Sequence, residues 1–91
     1  MPWPWRRRRT EPTRVVMYTR HGCHLCEEAW RLLEEVQGRY ALELEAVDVD
    51  GDPELVRLHG ERVPVVLVNG QERFRGGLNR ALLERLLRAE G

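Results

Sequence analysis

The only two cysteines of the chain, Cys23 and Cys26, lie three residues apart in the stretch "HGCHLC", next to His21 and His24. Two thiols at this spacing are compatible with dithiol–disulfide exchange, with metal coordination and with a structural disulfide. Which of the three applies depends on the elements that hold the two sulfur atoms.

The cysteine pair lies between a predicted strand and a predicted helix. The apolar run "VVMYT" at residues 15–19 is typical of a strand that is buried on both faces. From residue 23 to residue 37 the apolar residues recur at helical spacing and end before a glycine, and one stripe of the helix comprises Cys26, Ala29, Leu33 and Val36. Cys23 therefore falls at the start of this helix.

The position of the pair predicts different roles for its two members. Unpaired backbone N–H groups and the dipole at a helix start stabilise an anion, so we expect Cys23 to form a thiolate readily. Cys26 lies one turn later, on the same side and on the apolar stripe, so it is the more sheltered thiol. This asymmetry predicts that Cys23 is the attacking thiol of an exchange reaction and that Cys26 resolves the mixed disulfide.

Two alternatives to exchange remain at this point. Cys₂His₂ is a common zinc set, but Cys23 and His24 are adjacent at a helix start and would point apart, which makes a closed tetrahedron difficult. A purely structural disulfide is disfavoured because so short a loop constrains the unfolded chain very little. We therefore predict a redox pair and no metal site.

The rest of the chain predicts an α/β fold. "ALELEAVDV" alternates like a strand, with a change of phase that predicts a bulge or a strong twist near Glu45 and Ala46. Asp52 and Pro53 open a short helix that ends near Gly60. "VPVVLV" is a second buried strand, and Asn69-Gly70 predicts a hairpin into the edge strand "QERFR", followed by a final helix.

The predicted order of elements is β-α-β-α-β-β-α, a four-stranded mixed sheet with three helices on both faces. Strands separated by helices predict parallel pairing with right-handed crossovers, and the hairpin adds an antiparallel edge. The two uniformly apolar strands are expected at the centre of this sheet.

Composition indicates one small domain and a basic arm. The 91 residues carry no formal net charge, but Arg6–Arg9 form a cationic block beside tryptophans and prolines. We predict a disordered arm at residues 1–12, with a weak anionic partner for its arginines, and a folded domain at residues 13–91. Without a predicted membrane span or signal peptide, a cytoplasmic location is expected.

These features resemble the thioredoxin superfamily, and most closely its small glutaredoxin-like members, from Arg14 to Arg88. Four landmarks carry the resemblance: the Cys23–Cys26 motif at a helix start, Val63-Pro64 before the third strand, the Asn69-Gly70 hairpin, and Gly76-Gly77 before the last helix. The resemblance implies a cis Pro64 against the cysteines and a Val63 backbone that pairs with an extended substrate.

The resemblance also implies a thiol–disulfide oxidoreductase that acts on protein or glutathione mixed disulfides. No tightly bound cofactor is expected; glutathione would be a co-substrate, and glutathione or a thioredoxin-reductase-type system the reductant. The alternative is a binding module that carries an iron–sulfur cluster or docks a partner. The candidate substrate-binding residues are Arg20, His24, Val63, Pro64, Gly76, Gly77 and Asn79.

Two departures from the usual glutaredoxin pattern bear on these roles. His24 and Leu25 replace the proline and tyrosine that glutaredoxins usually have between the cysteines, and a protonated His24 would stabilise the Cys23 thiolate. Asn79 replaces the usual acidic residue after the double glycine, which weakens the expected contact with the amino end of glutathione.

Overall fold

The computed structural model describes residues 11–90, and within them the strands and helices follow the predicted order. The elements are β1 (Thr13–Thr19), α1 (His24–Gln37), β2 (Leu42–Asp48), a 3-10 turn (Val49–Gly51), α2 (Pro53–His59), β3 (Val65–Val68), β4 (Gln71–Arg75) and α3 (Arg80–Glu90). In this part of the chain no helix has the length and apolar character that crossing a membrane requires. Residues 1–10 of the predicted arm lie outside the described residues, so the arm and its anionic partner stay predictions.

The strands form one sheet in the order β2-β1-β3-β4, with the two apolar strands at its centre as predicted. β1 and β2 are parallel, but β3 is antiparallel to β1, which corrects the expectation of parallel pairing. The reason is the length of α2. Seven helical residues span about 10 Å, whereas a seven-residue strand spans about 23 Å. The chain therefore does not return to the start of the sheet, and β3 begins at the edge where β2 ends.

Of the bulge or strong twist predicted near Glu45 and Ala46, the bulge is wrong. β2 pairs with β1 in one unbroken register from Thr13–Leu42 to Thr19–Asp48, and the sheet's irregularity lies instead between β3 and β4, near Val66. The phase of β2 changes because both faces of the sheet are covered. Leu42 is buried on the α1 face, and Val47 is half-buried on the opposite face.

The Asn69-Gly70 hairpin forms as predicted. Both residues have positive φ, 49° and 86°, as the tight two-residue turn requires. The Asn69 side-chain oxygen also accepts a hydrogen bond from the backbone N–H of Arg14 at 2.9 Å, which ties the turn to β1.

Helices cover both faces of the sheet. On one face, α1 and α3 pack on the strands around a buried apolar cluster that comprises Val15, Met17, Cys26, Ala29, Leu33, Val36, Leu42, Val66, Val68, Leu83 and Leu87. On the other face, the ring of His59, the last residue of α2, stacks on Tyr18 of β1 with centroids 4.6 Å apart. The predicted four-stranded sheet with helices on both faces is therefore confirmed.

A cluster of charged side chains joins the end of α1 to α3. The Glu84 carboxylate accepts hydrogen bonds from Arg80 and Tyr40 and forms an ion pair with Arg39, and its side chain is only 17% exposed. Burial acts to raise the pKa of Glu84, but the hydrogen bond from Arg80 and the charge of Arg39 outweigh it, so the pKa lies below its ordinary value.

A carboxylate with a lowered pKa stabilises the folded state in its ionised form. We therefore expect Glu84→Gln to lower the melting temperature at pH 7. The difference in melting temperature between the wild type and the variant should shrink as the pH falls from about 4.5, the ordinary pKa of a glutamate, through the lower pKa of Glu84 in the folded state. Below that pKa, Glu84 of the wild type is protonated and has lost the charge that the variant lacks. Thermal unfolding at pH 7 and pH 3 measures this. Glu43→Gln, at an exposed position on β2, is the control, and a deficit that does not depend on pH would contradict the assignment.

Candidate functional site

The loop between β1 and α1 places Cys23 at the N-cap of the helix. Gly22 makes the turn with φ of 79°, a conformation that L-amino acids with side chains rarely adopt. The Cys23 N–H donates to the Arg20 carbonyl at 3.2 Å. The Cys23 sulfur takes the position of an N-cap acceptor and receives the backbone N–H of Cys26 at 3.1 Å. The helix start thus offers a backbone donor directly to this sulfur.

The two cysteines are joined by a disulfide, with their Cα atoms 5.2 Å apart. Their environments differ. Cys26 is 2% exposed and belongs to the buried cluster, whereas Cys23 is half-buried and borders an open cavity. Cys26 was predicted to be the more sheltered of the two thiols, and in the structure its side chain is the less accessible one.

The segment before β3 lies at the same edge of the sheet as the cysteine loop. Tyr18 pairs with Val65, so the Val63–Pro64 bond, which is cis, faces the end of β1. The Gly76 N–H donates to the carbonyls of both Arg62 and Pro64, at 2.9 and 2.8 Å. These bonds bring the double-glycine segment to the same edge.

Val63 itself keeps its backbone groups unused. Its neighbours Arg62 and Pro64 give their carbonyls to Gly76, but among residues 11–90 the structure shows no hydrogen bond to the N–H or C=O of Val63. Its side chain packs against the buried cluster, so the segment is fixed in place while that backbone stays available.

Arg20, the first residue after β1, is held by two acceptors that the sequence did not indicate. Its Nε and Nη2 donate to the Asp50 carboxylate at 3.1 and 2.7 Å, and its Nη1 donates to the Gly60 carbonyl at 3.0 Å. The hydrogen bond with Asp50 raises the pKa of Arg20 and lowers the pKa of Asp50. Because an arginine has five N–H donors and three are engaged, two are not used by these bonds. The predicted contact of Arg20 with glutathione stays a prediction.

Asn79 caps the last helix. Its side-chain oxygen accepts the N–H of Leu82 at 2.9 Å, and its carbonyl accepts the N–H of Leu83. Asn79 immediately precedes α3, and capping is a common use of asparagine at such a position. Its predicted contact with glutathione is untested.

The two residues between the cysteines are directed to solvent. The His24 side chain is 81% exposed, and its ring nitrogens lie 3.7 Å from carboxylate oxygens of Glu27 and Glu28. Leu25 is 51% exposed. Among the described residues, no group of three or more potential ligands has the geometry of a metal site.

The sheet order, the helix placement and the cysteine pair at the start of α1 define a protein with the thioredoxin-like fold. The chain belongs to the glutaredoxin-like domain (DUF836) family, whose family model matches residues 14–88. This confirms the resemblance to small glutaredoxin-like members of the thioredoxin superfamily.

Individual proteins agree with this assignment. The chain is 35% identical over 63 residues to the protein Rv0508 of Mycobacterium tuberculosis and to Mb0520 of Mycobacterium bovis; the match covers 64% of this chain and 65% of each relative's length. The solution structure of Ne2328 from Nitrosomonas europaea is 35% identical and superposes with a TM-score of 0.76 over 89% of this chain and 98% of that one.

Two further solved structures are similar. The X-ray structure of XcR50 from X. campestris is 30% identical, with a TM-score of 0.69 over 82% of this chain and 96% of that one. A structure concerned with the thiol resolving mechanism of a yeast mitochondrial 1-Cys peroxiredoxin has 18% identity and a TM-score of 0.64 over 89% of this chain and 81% of that one, and it supports the fold alone.

The close approach of the Val56 carbonyl, together with that of Arg20, leaves no room for a side chain at Gly60. A Cβ atom added at Gly60 would lie 2.6 Å from the Val56 carbonyl oxygen and 3.2 Å from Arg20 Nη1. We therefore expect Gly60→Ala to lower the free energy of unfolding by about 1–3 kcal/mol, as measured in urea.

Gly38→Ala is the matched control for Gly60→Ala. Gly38 also follows a helix with helical φ, −69°, and no atom lies within 4 Å of an added Cβ. Its replacement should be neutral or stabilise by up to about 1 kcal/mol. Equal effects of the two alanines would show that the close approach at Gly60 is unimportant.

Proposed function

We propose that this protein is a thiol–disulfide oxidoreductase that uses Cys23 as the nucleophile and Cys26 as the resolving thiol. The observation that carries the proposal is the asymmetry of the pair: the Cys23 sulfur borders a cavity and accepts a backbone N–H, whereas Cys26 is buried in the core. The family assignment supports a redox role for such a pair.

The reaction proceeds by two exchanges. In the reduced protein, the Cys23 thiolate attacks one sulfur of a substrate disulfide, a Cys23–substrate disulfide forms, and the other substrate sulfur leaves as a thiolate. The Cys26 thiolate then attacks the Cys23 sulfur, which closes the Cys23–Cys26 disulfide and releases the second substrate thiolate. The substrate gains two electrons, the protein pair loses two, and the two protons of the pair pass to the substrate thiolates.

The Cys26 N–H supports the first exchange and its return. The 3.1 Å contact from this N–H to the Cys23 sulfur stabilises negative charge on Cys23 whenever it is an attacking or leaving thiolate. Completing the cycle requires a thiol reductant that returns two electrons, either two glutathione molecules or a dithiol protein of the thioredoxin-reductase type.

The Val63 backbone would hold an extended substrate beside the cysteines. Its N–H and C=O are unused among the described residues, and its cis peptide partner Pro64 lies at the same edge as the cysteine loop. An extended peptide that carries the reacting disulfide can form strand-like hydrogen bonds there. Gly76 secures this segment through its two carbonyl contacts.

Glutathione would bind through the arginines near Gly60. Arg20, Arg57 and Arg62 line a cavity of about 410 Å³ whose wall includes one acid, Glu61. Guanidinium groups bind carboxylates through paired hydrogen bonds, and glutathione carries two carboxylates. Arg20 lines both this cavity and the one beside Cys23, so it is the residue that would connect the bound carboxylate to the reacting sulfur.

Cys26→Ser should trap the first intermediate. The substrate is attacked by Cys23 but is not released, so a mixed disulfide on Cys23 should accumulate and be visible by mass spectrometry, whereas Cys23→Ser should form none. If Cys26 is the thiol that is alkylated faster in the reduced protein, the roles are reversed.

Visible absorbance of the freshly purified protein would favour the cluster-binding alternative instead.

Arg20→Ala should slow reduction of a glutathione mixed disulfide by about ten- to a hundredfold, the factor that corresponds to the free energy of one charge-assisted hydrogen bond. The rate at which the variant reduces a protein disulfide should stay within about twofold of the wild-type rate. Asp50→Ala is the matched control, because it breaks the same ion pair but keeps the guanidinium. It should retain reduction of the glutathione substrate. Equal losses for both variants and both substrates would show that the arginine acts only on the structure of the loop.

A further inference from the structure

A groove extends from Cys23 along the outer side of α1, on the other side of the β1–α1 loop from Val63, and Arg20 lines it as well as the cavity near Gly60. The groove is a cavity of about 460 Å³ between α1 and the edge strand β2. In the sheet, β1 lies between β2 and β3, so the loop that follows β1 has this groove on one side and the Val63 segment on the other. The proposed function uses the Cys23 end of this cavity and Arg20, and it assigns no role to the floor of the groove or to its wall farther along α1.

The floor of the groove is formed by apolar side chains. Met17 and Ala46 are paired across β1 and β2 and face α1, and half-buried Trp30 closes the floor from the helix. Ala46 is exposed although its neighbours on this face are large. The small side chain therefore leaves the opening that a larger residue at position 46 would fill.

The side of the groove that α1 contributes consists of residues at helical spacing, starting at Cys23. Cys23, Glu27, Trp30 and Glu34 recur at spacings of three and four residues, so they lie on one line along α1, with Arg31 beside them. The eleven steps from Cys23 to Glu34 correspond to about 16 Å of helix. That length admits several residues of an extended chain at about 3.3 Å each.

The charges on the rim do not select a charged ligand. Glu27 and Glu34 carry negative charge and Arg31 and Arg20 carry positive charge, so both signs are present among the lining residues. The site offers an uncharged floor of Ala46, buried Met17 and half-buried Trp30, in the same cavity that Cys23 lines. Such a floor favours burial of an apolar side chain.

We infer that this groove is a specificity subsite for a bulky apolar side chain of a polypeptide substrate, located within a few residues of the cysteine that reacts with Cys23. The inference rests on the proposed exchange reaction and names its substrate class. The substrate chain would pair with Val63 on the β3 side and insert the apolar side chain on the β2 side. Glutathione has no such side chain, so the subsite separates protein substrates from glutathione.

The test compares two peptide disulfides that differ only in the residue next to the cysteine, leucine or glycine. The wild-type protein should reduce the leucine peptide with a kcat/KM about tenfold higher, as expected for partial burial of one leucine. Ala46→Phe fills the groove and should reduce this ratio to within about twofold. Glu45→Phe is the matched control at the neighbouring exposed position on the opposite face of β2, and it should retain the ratio.

The outcomes separate the inference from the proposed function. If the wild type reduces neither peptide, the proposed exchange reaction is wrong. If it reduces both at equal rates, or if Glu45→Phe removes the preference as fully as Ala46→Phe, exchange stands and the subsite is overturned. If thermal unfolding shows that Ala46→Phe is not folded, Ala46→Leu, a smaller replacement, provides the same comparison.

Discussion

The packing of Cys26 into the buried cluster is the constraint on which the site depends. This sulfur is 2% exposed and lies on the same stripe of α1 as Ala29, Leu33 and Val36, so the core fixes the rotation of the helix about its axis. Once that rotation is set, Cys23 must fall at the N-cap, at the edge of the sheet and next to solvent. The chemistry of the accessible sulfur is thus determined by the burial of its partner, because a rotation of α1 that exposed Cys26 would also remove three aliphatic side chains from the core.

Strand direction has a comparable influence on the other half of the site. Because β3 is antiparallel to β1, its first residues lie at the edge where β1 ends, and the Val63–Pro64 segment faces the cysteine loop. A parallel β3 would have placed this segment at the opposite end of the sheet. The short α2 helix, through the direction it imposes on β3, is therefore part of what assembles the site, although none of its residues is fully buried.

The sequence was informative where one physical pattern has one structural outcome. The helical stripe that includes Cys26, the Asn69-Gly70 turn and the uniformly apolar central strands were predicted correctly for this reason. The direction of β3 depends on the length of α2 relative to the sheet, and the absence of a bulge at Glu45 depends on cover from both faces. Neither is a property of the local sequence.

The partners of single polar side chains were likewise beyond reach of the sequence. Arg20 was identified by its position before the cysteine loop, but Asp50 and Gly60 are distant in the chain and belong to no motif with it. For Asn79 the sequence indicated only a contact with glutathione, whereas the Asn79 side-chain oxygen caps α3. In each case the sequence identified the residue, but its hydrogen-bond partner could be identified only from the three-dimensional structure.

The residues between the cysteines bear on how the Cys23 thiolate is stabilised. His24 was expected to act through its positive charge, but its two ring nitrogens face the carboxylates of Glu27 and Glu28, and its side chain is largely in solvent. Hydration weakens the field that a protonated ring at this position would exert on a neighbouring sulfur, and the role of His24 stays a prediction. The backbone N–H of Cys26, by contrast, is aimed at the Cys23 sulfur from within the helix and is fixed by the burial of its own side chain. The same packing that shelters Cys26, the proposed resolving thiol, therefore also holds the donor that would stabilise Cys23, the proposed nucleophile.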